Sequence, residues 1–173
     1  MDDPVVIRAA EVARAAGHAT LRFNFRGAGG SEGAHDKGRG EQEDVTAAMT
    51  ALAGHLPAGS RIGVMGYSFG AAMAARAARP GAPDAPLGLI APPLGMYDFD
   101  FLQGVASEGS PGRLLLVAGT ADSYCPVDAL HRLAALTSAQ ERIIEGADHF
   151  FFGKLYPLGE AIGDWLAGLP PAP

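Results

Sequence analysis

Apolar residues recur along the chain in two alternating rhythms: a spacing of three or four, and short unbroken runs closed by glycine or proline. Val5, Val6, Ala9, Ala10, Val12, Ala13 and Ala16 form one apolar face and predict a helix from Val5 to Ala16. Asp2 or Asp3 can cap it, Pro4 suits its first turn and Gly17 stops it. Thr20 to Phe25 reads as a strand that runs into a glycine-dense loop, Arg26 to Gly33, and a polar stretch to Gly40. Glu41 to His55 reads as a helix, with Val45, Ala48, Met49 and Leu52 on one side and Glu41, Glu43 and Asp44 in the first turn, where the helix dipole favours acids.

The second half repeats the alternation. Arg61 to Met65 is a predicted strand, Ala71 to Arg79 an alanine-rich helix, and Pro80 to Pro86 a proline-rich connection. Leu87 to Ala91 and Arg113 to Gly119 are continuous apolar runs, the pattern of parallel strands covered on both faces. Between them, Gly95 to Gly112 carries Met96, Tyr97, Phe99, Phe101 and Leu102, either core packing or an apolar wall beside a site. Pro126 opens a helix with Val127, Leu130, Leu133 and Ala134 inward, Glu141 to Ile144 is the last strand, and Tyr156 to Leu169 is an amphipathic helix before the tail Pro170 to Pro173. About five strands alternating with helices predict an α/β fold, a three-layer α/β/α sandwich on a mainly parallel sheet. No repeat appears, so residues 1–173 are expected to form a single domain.

Composition narrows the function classes. A net charge of −6 without a basic patch argues against nucleic acid as a partner. No apolar run approaches the ~20 residues that span a bilayer, and the acidic start Met1-Asp2-Asp3-Pro4 lacks a signal-peptide core. Cys125 stands alone and cannot form an internal disulfide, which fits a reducing compartment. A cytoplasmic protein is the expectation. No His/Cys/Asp grouping has metal-ligand spacing, so neither metal nor cofactor is expected. The Arg26–Gly33 loop lacks the Lys-Ser/Thr ending of a phosphate-binding loop and reads as structural.

The chemistry gathers around Gly66-Tyr67-Ser68-Phe69-Gly70, a G-x-S-x-G in strand–turn–helix context. Gly66 and Gly70 are expected to remove side chains that would collide where strand and helix cross. Asp122 follows the Arg113–Gly119 strand and His149 follows the last one, so Ser68, Asp122 and His149 all lie just past strand carboxyl ends, where parallel sheets place their sites. A serine hydroxyl needs a base to take its proton, histidine is the residue type suited to that, and an aspartate fixes its tautomer. The Phe69 amide is the candidate oxyanion donor. Among rivals, His131 lies within a predicted helix, while His18, His35 and His55 fall on helix ends or loops. Asp148 reads as a turn former, Asp84 and Asp98 follow no comparable strand, and Cys125 reads as a partly buried thiol.

These residues resemble the α/β-hydrolase superfamily, and more narrowly its small lidless bacterial members related to dienelactone hydrolases. The likeness rests on Phe23-Asn24-Phe25-Arg26-Gly27 with Gly29, Gly30 and Ser31, on Gly66–Gly70, on Gly119-Thr120-Ala121-Asp122, and on Gly146-Ala147-Asp148-His149-Phe150-Phe151. It implies Ser68 as nucleophile, Asp122 as acid, His149 as base and the Phe69 amide as one oxyanion donor. The family usually places a further strand before its first helix, central in the sheet between the equivalents of Thr20–Phe25 and Arg61–Met65, and draws a second oxyanion donor from the loop after it. Met1 therefore reads as an internal methionine of a longer, N-terminally shortened family member. The implied activity is hydrolysis of small carboxylic esters or thioesters through an acyl-enzyme, on a small-molecule substrate without a membrane. A peptidase or amidase on the same triad and a non-catalytic binding protein stay open, as does oligomeric state, a homodimer included. About twenty residues separate Leu87–Ala91 from the next strand, too few for a cap domain of ~50 residues or more.

Overall fold

The computed structural model describes residues 2–78, 85–103 and 113–169. Arg79 at the end of the predicted alanine-rich helix, Pro80–Asp84 of the proline-rich connection, Gly104–Gly112, the tail Pro170–Pro173 and Met1 lie outside the described residues. Helix α1, Pro4–Ala15, begins at Asp3, whose carboxylate accepts from the Val5 and Val6 amides at 2.9 and 3.2 Å, settling which acid is the cap. Then follow α2 (Glu41–Ala53), β1 (Val64–Tyr67), α3 (Phe69–Ala77), β2 (Leu87–Ile90), β3 (Leu114–Gly119), α4 (Val127–Thr137), β4 (Gln140–Ile144) and α5 (Leu155–Gly168). The four strands pair in chain order, all parallel.

Alternation along β3 explains the layers. Leu114, Leu116 and Ala118 join a core with Val45 of α2, the alanines of α3 and Leu130, Leu133 and Ala134 of α4. Leu115 and Val117 face the other way, into a core with Val5 and Ala9 of α1 and Leu158, Ile162 and Trp165 of α5. The sheet is thus covered on both faces, the expected three layers. Small residues set the spacing. Ala71, Ala72, Ala74 and Ala75 are buried where α3 crosses the sheet, and the absent side chain of Gly88 leaves room for Met65, whose Cγ lies 2.8 Å from where a Cβ would be.

Two expectations need correction. Thr20–Phe25 is not a strand: it forms no ladder with any described residue, and Leu21 and Phe23 are 40% and 36% exposed. The sheet therefore has four described strands instead of five. A strand is defined by its partner, and the apolar alternation of this segment is not sufficient without one. The strand assigned to Arg61–Met65 begins later, at Val64, and runs to Tyr67. Val64 donates to the Pro86 carbonyl at 2.8 Å, and the next rung back would need an N–H that Pro86 lacks.

The glycine-dense loop is structural. The Arg26 guanidinium clamps Asp44 at 2.7 Å and the Arg26 amide donates to the same carboxylate at 3.0 Å. Gly40 leaves space against which the Arg26 side chain lies, and Gly27 and Gly29 both adopt positive φ. Glu41 is fully buried and accepts from the Asp36 and Gly38 amides at 2.7 and 2.8 Å and pairs with His35 at 2.7 Å. It ties the loop to the start of α2. Of the Gly95–Gly112 region, Phe99 and Leu102 are buried in the first core, whereas Tyr97 lies with its ring 6.2 Å from Phe69, beside the elbow.

Candidate active site

At the carboxyl end of β1 the chain turns through Ser68 into α3. Ser68 has φ 52° and ψ −119°, a left-handed backbone that costs a non-glycine residue roughly 1–3 kcal/mol. Its amide donates to Ile90 at 2.9 Å, which fastens the bend to β2. A Cβ on Gly66 would overlap the Gly70 and Ala71 backbone, so strand and helix cross only because residue 66 is glycine. Gly70 does not share that role: a Cβ there would meet only Phe25, at 3.9 Å, an ordinary contact. The Phe69 amide is the first N–H of α3 and has no partner among the described residues, as helix geometry requires of the leading amides.

The residues singled out after separate strands come together. Ser68 Oγ lies 2.9 Å from His149 Nε2, and His149 Nδ1 lies 2.9 and 3.0 Å from the two Asp122 oxygens. With Nδ1–H donating to the carboxylate, Nε2 is left to accept from the serine hydroxyl. Asp122 is buried and held by the Tyr124 and Cys125 amides, which donate to Oδ1 at 2.8 and 3.1 Å. The loops carrying acid and histidine are laced together: Ala121 donates to the Ala147 carbonyl at 2.9 Å, and Gly146 to Thr120 Oγ1 at 2.8 Å. Asp148 closes the turn around His149, accepting from Phe150 and Phe152 at 3.1 and 3.0 Å, as a turn former should.

The rivals are elsewhere. His131 pairs with Glu141 at 2.6 Å and His35 with Glu41, while His18 and His55 are exposed. Asp98 caps its own turn through the Asp100 amide at 2.8 Å, and Asp84 lies outside the described residues. Cys125 is wholly rather than partly buried, and burial with the neighbouring Asp122 charge pushes its thiol up to about 12. Among the described residues no acid, histidine and cysteine grouping could hold a metal, and no helix is long and apolar enough to cross a membrane.

Sequence reasoning missed the rings around the imidazole. Tyr124, Tyr67 and Phe150 stand 4.8, 5.5 and 5.6 Å from His149, and the Tyr67 hydroxyl donates to the His149 carbonyl at 3.0 Å. The signal was present only in part: Tyr67 is a phenol closing a strand of otherwise apolar residues, immediately before the serine.

A parallel sheet covered on both faces, a strained serine between strand and helix, and a Ser-His-Asp arrangement at the strand ends define an α/β hydrolase of the serine type. The family model described as X-Pro dipeptidyl-peptidase (S15 family) matches residues 7–110. An uncharacterized protein of Rickettsia prowazekii is 35% identical over 96% of this chain and 72% of its own length. A lidless α/β serine hydrolase of Xanthomonas campestris superposes with a TM-score of 0.84 at 32% identity, over all of this chain and 77% of that one. An α/β serine hydrolase homologue from Coxiella burnetii gives 0.82 at 32% identity, over 95% and 76%. The chain belongs to the α/β serine hydrolases, in the S15 family and alongside lidless bacterial members.

Proposed function

We propose that this chain hydrolyses small carboxylic esters or thioesters through an acyl-enzyme, with Ser68 as nucleophile, His149 as base and Asp122 as the acid that orients it. The observation that carries the reading is the unbroken relay from Asp122 through the imidazole to Ser68, with links of 2.9 Å on either side of the ring. In the forward step the serine oxygen attacks the substrate carbonyl while its proton passes to Nε2. The buried Asp122 carboxylate stabilises the resulting imidazolium, and the unpartnered Phe69 amide offers a hydrogen bond to the oxyanion. Collapse expels the alcohol or thiol, which takes the proton from Nε2. Water then repeats the sequence on the acyl group and frees Ser68. Residues 1–173 act in this proposal as a single domain without a cap, in the cytoplasm, on a small molecule and without nucleic acid, membrane or metal. The acidic net charge of −6 supports the absence of a polyanionic partner.

The match of residues 7–110 to the X-Pro dipeptidyl-peptidase family favours a second reading, cleavage of a peptide bond by the same triad. Fluorophosphonate labelling read by intact mass, on wild type and His149→Ala, tests the shared chemistry. Acetyl and butyryl esters, a thioester and an Xaa-Pro anilide then divide the substrates. One adduct at Ser68, lost in the variant, together with an ester kcat/KM above that of the anilide is expected. Anilide turnover matching the esters would replace the first reading with the second, and no adduct would leave a non-catalytic protein.

A further inference from the structure

The relay leaves one polar contact at the site unassigned. Tyr67 ends β1 and immediately precedes Ser68, and its hydroxyl donates to the backbone carbonyl of His149 at 3.0 Å. Its ring lies 5.5 Å from the imidazole, tilted by 34°. A single side chain thus spans from the strand that carries the serine to the turn that carries the histidine.

We infer that Tyr67 is a positioning residue that sets the distance between His149 and Ser68. The inference rests on the proposed roles of those two residues. The other anchors of the histidine turn do a different job. Ala147 and Gly146 are bonded to Ala121 and Thr120, and so fix the turn relative to the loop that carries Asp122. The Asp148 bonds to Phe150 and Phe152 are internal to the turn. Among the described residues, only the Tyr67 hydroxyl and the Ser68–Nε2 contact link this turn to β1 or α3 by hydrogen bonds. Without Tyr67, the base would be located precisely enough for its acid but not for its nucleophile.

A tyrosine suits the task because its donor is permanent. Burial, and then the carboxylates of Asp3, Asp122 and Asp148, push the phenol up to about 12, so it holds its proton wherever such an enzyme would operate. Phenylalanine would keep the ring against the imidazole and leave the His149 carbonyl without its donor.

The test is Tyr67→Phe, followed by the second-order rate of fluorophosphonate labelling and, separately, by the fraction labelled at completion. Tyr156→Phe, on an exposed part of α5, is the control. Misplaced reacting groups slow a reaction without removing them. Tyr67→Phe should therefore label to the wild-type fraction about tenfold more slowly, short of the ~10²–10⁴ lost with the base itself. Ester kcat should fall by a similar factor with KM unchanged, while Tyr156→Phe matches wild type. Wild-type labelling rate in Tyr67→Phe overturns the inference alone. So does a reduced final fraction labelled at the wild-type rate, which would mark a purely structural role. Wild-type protein that takes no adduct overturns the triad reading, and the inference with it.

Discussion

Gly119 closes β3, and the space beside it is occupied by the neighbouring chain. A Cβ built there would lie 2.7 Å from the Ala147 Cβ and 2.6 Å from its carbonyl carbon, and would overlap the carbonyl oxygen. Ordinary carbon contacts are about 3.5–4.0 Å, so Gly119→Ala must drive the two segments apart by roughly 1 Å. Nothing flexible can absorb this, because the obstructing atoms are mostly backbone. The Ala121–Ala147 bond of 2.9 Å crosses the same contact, and Asp122 and His149 lie just beyond its two ends. The displacement therefore passes into the Asp122–His149 pair. Overpacking of this kind costs ~1–3 kcal/mol, and a ~1 Å displacement of catalytic groups costs about 10² in turnover.

Thermal unfolding and ester kcat/KM, measured together, read both effects. For a chain of this size the stability loss corresponds to a melting point lower by about 2–12 °C. Gly163→Ala is the matched comparison, since its Cβ would sit 3.6 Å from Val12 Cγ1, an ordinary contact, within α5. An alanine in a helix interior gains roughly 0.5–1 kcal/mol over glycine, so that variant should melt slightly higher and keep its activity. A Gly119→Ala protein with wild-type melting point and turnover within about threefold would refute the close-approach argument.

Asp122→Asn should leave the fold intact and reduce ester turnover by ~10³–10⁴, because an amide no longer enforces the Nδ1–H tautomer; less than tenfold loss in kcat would remove Asp122 from the relay. Burial opposes ionisation of Glu41, but the amides of Asp36, Glu41 itself and Gly38, with His35, more than offset it and hold its carboxyl below the ordinary value of 4.5. A lowered folded value means stability that is present above about pH 4.5 and is lost as pH falls through the folded value, so melting points measured from pH 6 to 3 should drop less steeply for Glu41→Gln than for wild type. Asp44, lowered by its hydrogen bonds to Arg26, adds a contribution of the same sign that Asp44→Asn should remove. Cys125, buried and with its thiol pushed up to about 12, should resist iodoacetamide at pH 8 in native protein and react fully in denaturant; rapid native alkylation would show the site to be open beneath Asp122.

The faces of the sheet were legible because they depend on local alternation, as in Leu114–Gly119, and the catalytic candidates because they follow strands in a fixed order. What the sequence concealed depends on partners distant along the chain. Thr20–Phe25 has the composition of a strand and no ladder with any described residue, and Pro86 decides where β1 begins although it lies outside that strand. Tyr67 reads as an unspecified position inside a motif until the His149 carbonyl is placed opposite it. The glycines show the limit most clearly. In a sequence a glycine suggests a turn, but neither Gly66 nor Gly119 has a positive φ. Each is required because another backbone occupies the place of its Cβ, whereas Gly70, fixed by the same motif, meets only the edge of Phe25. A motif glycine thus names a position where a side chain is missing, and only the facing chain tells whether the backbone angle or the vacant volume is the reason.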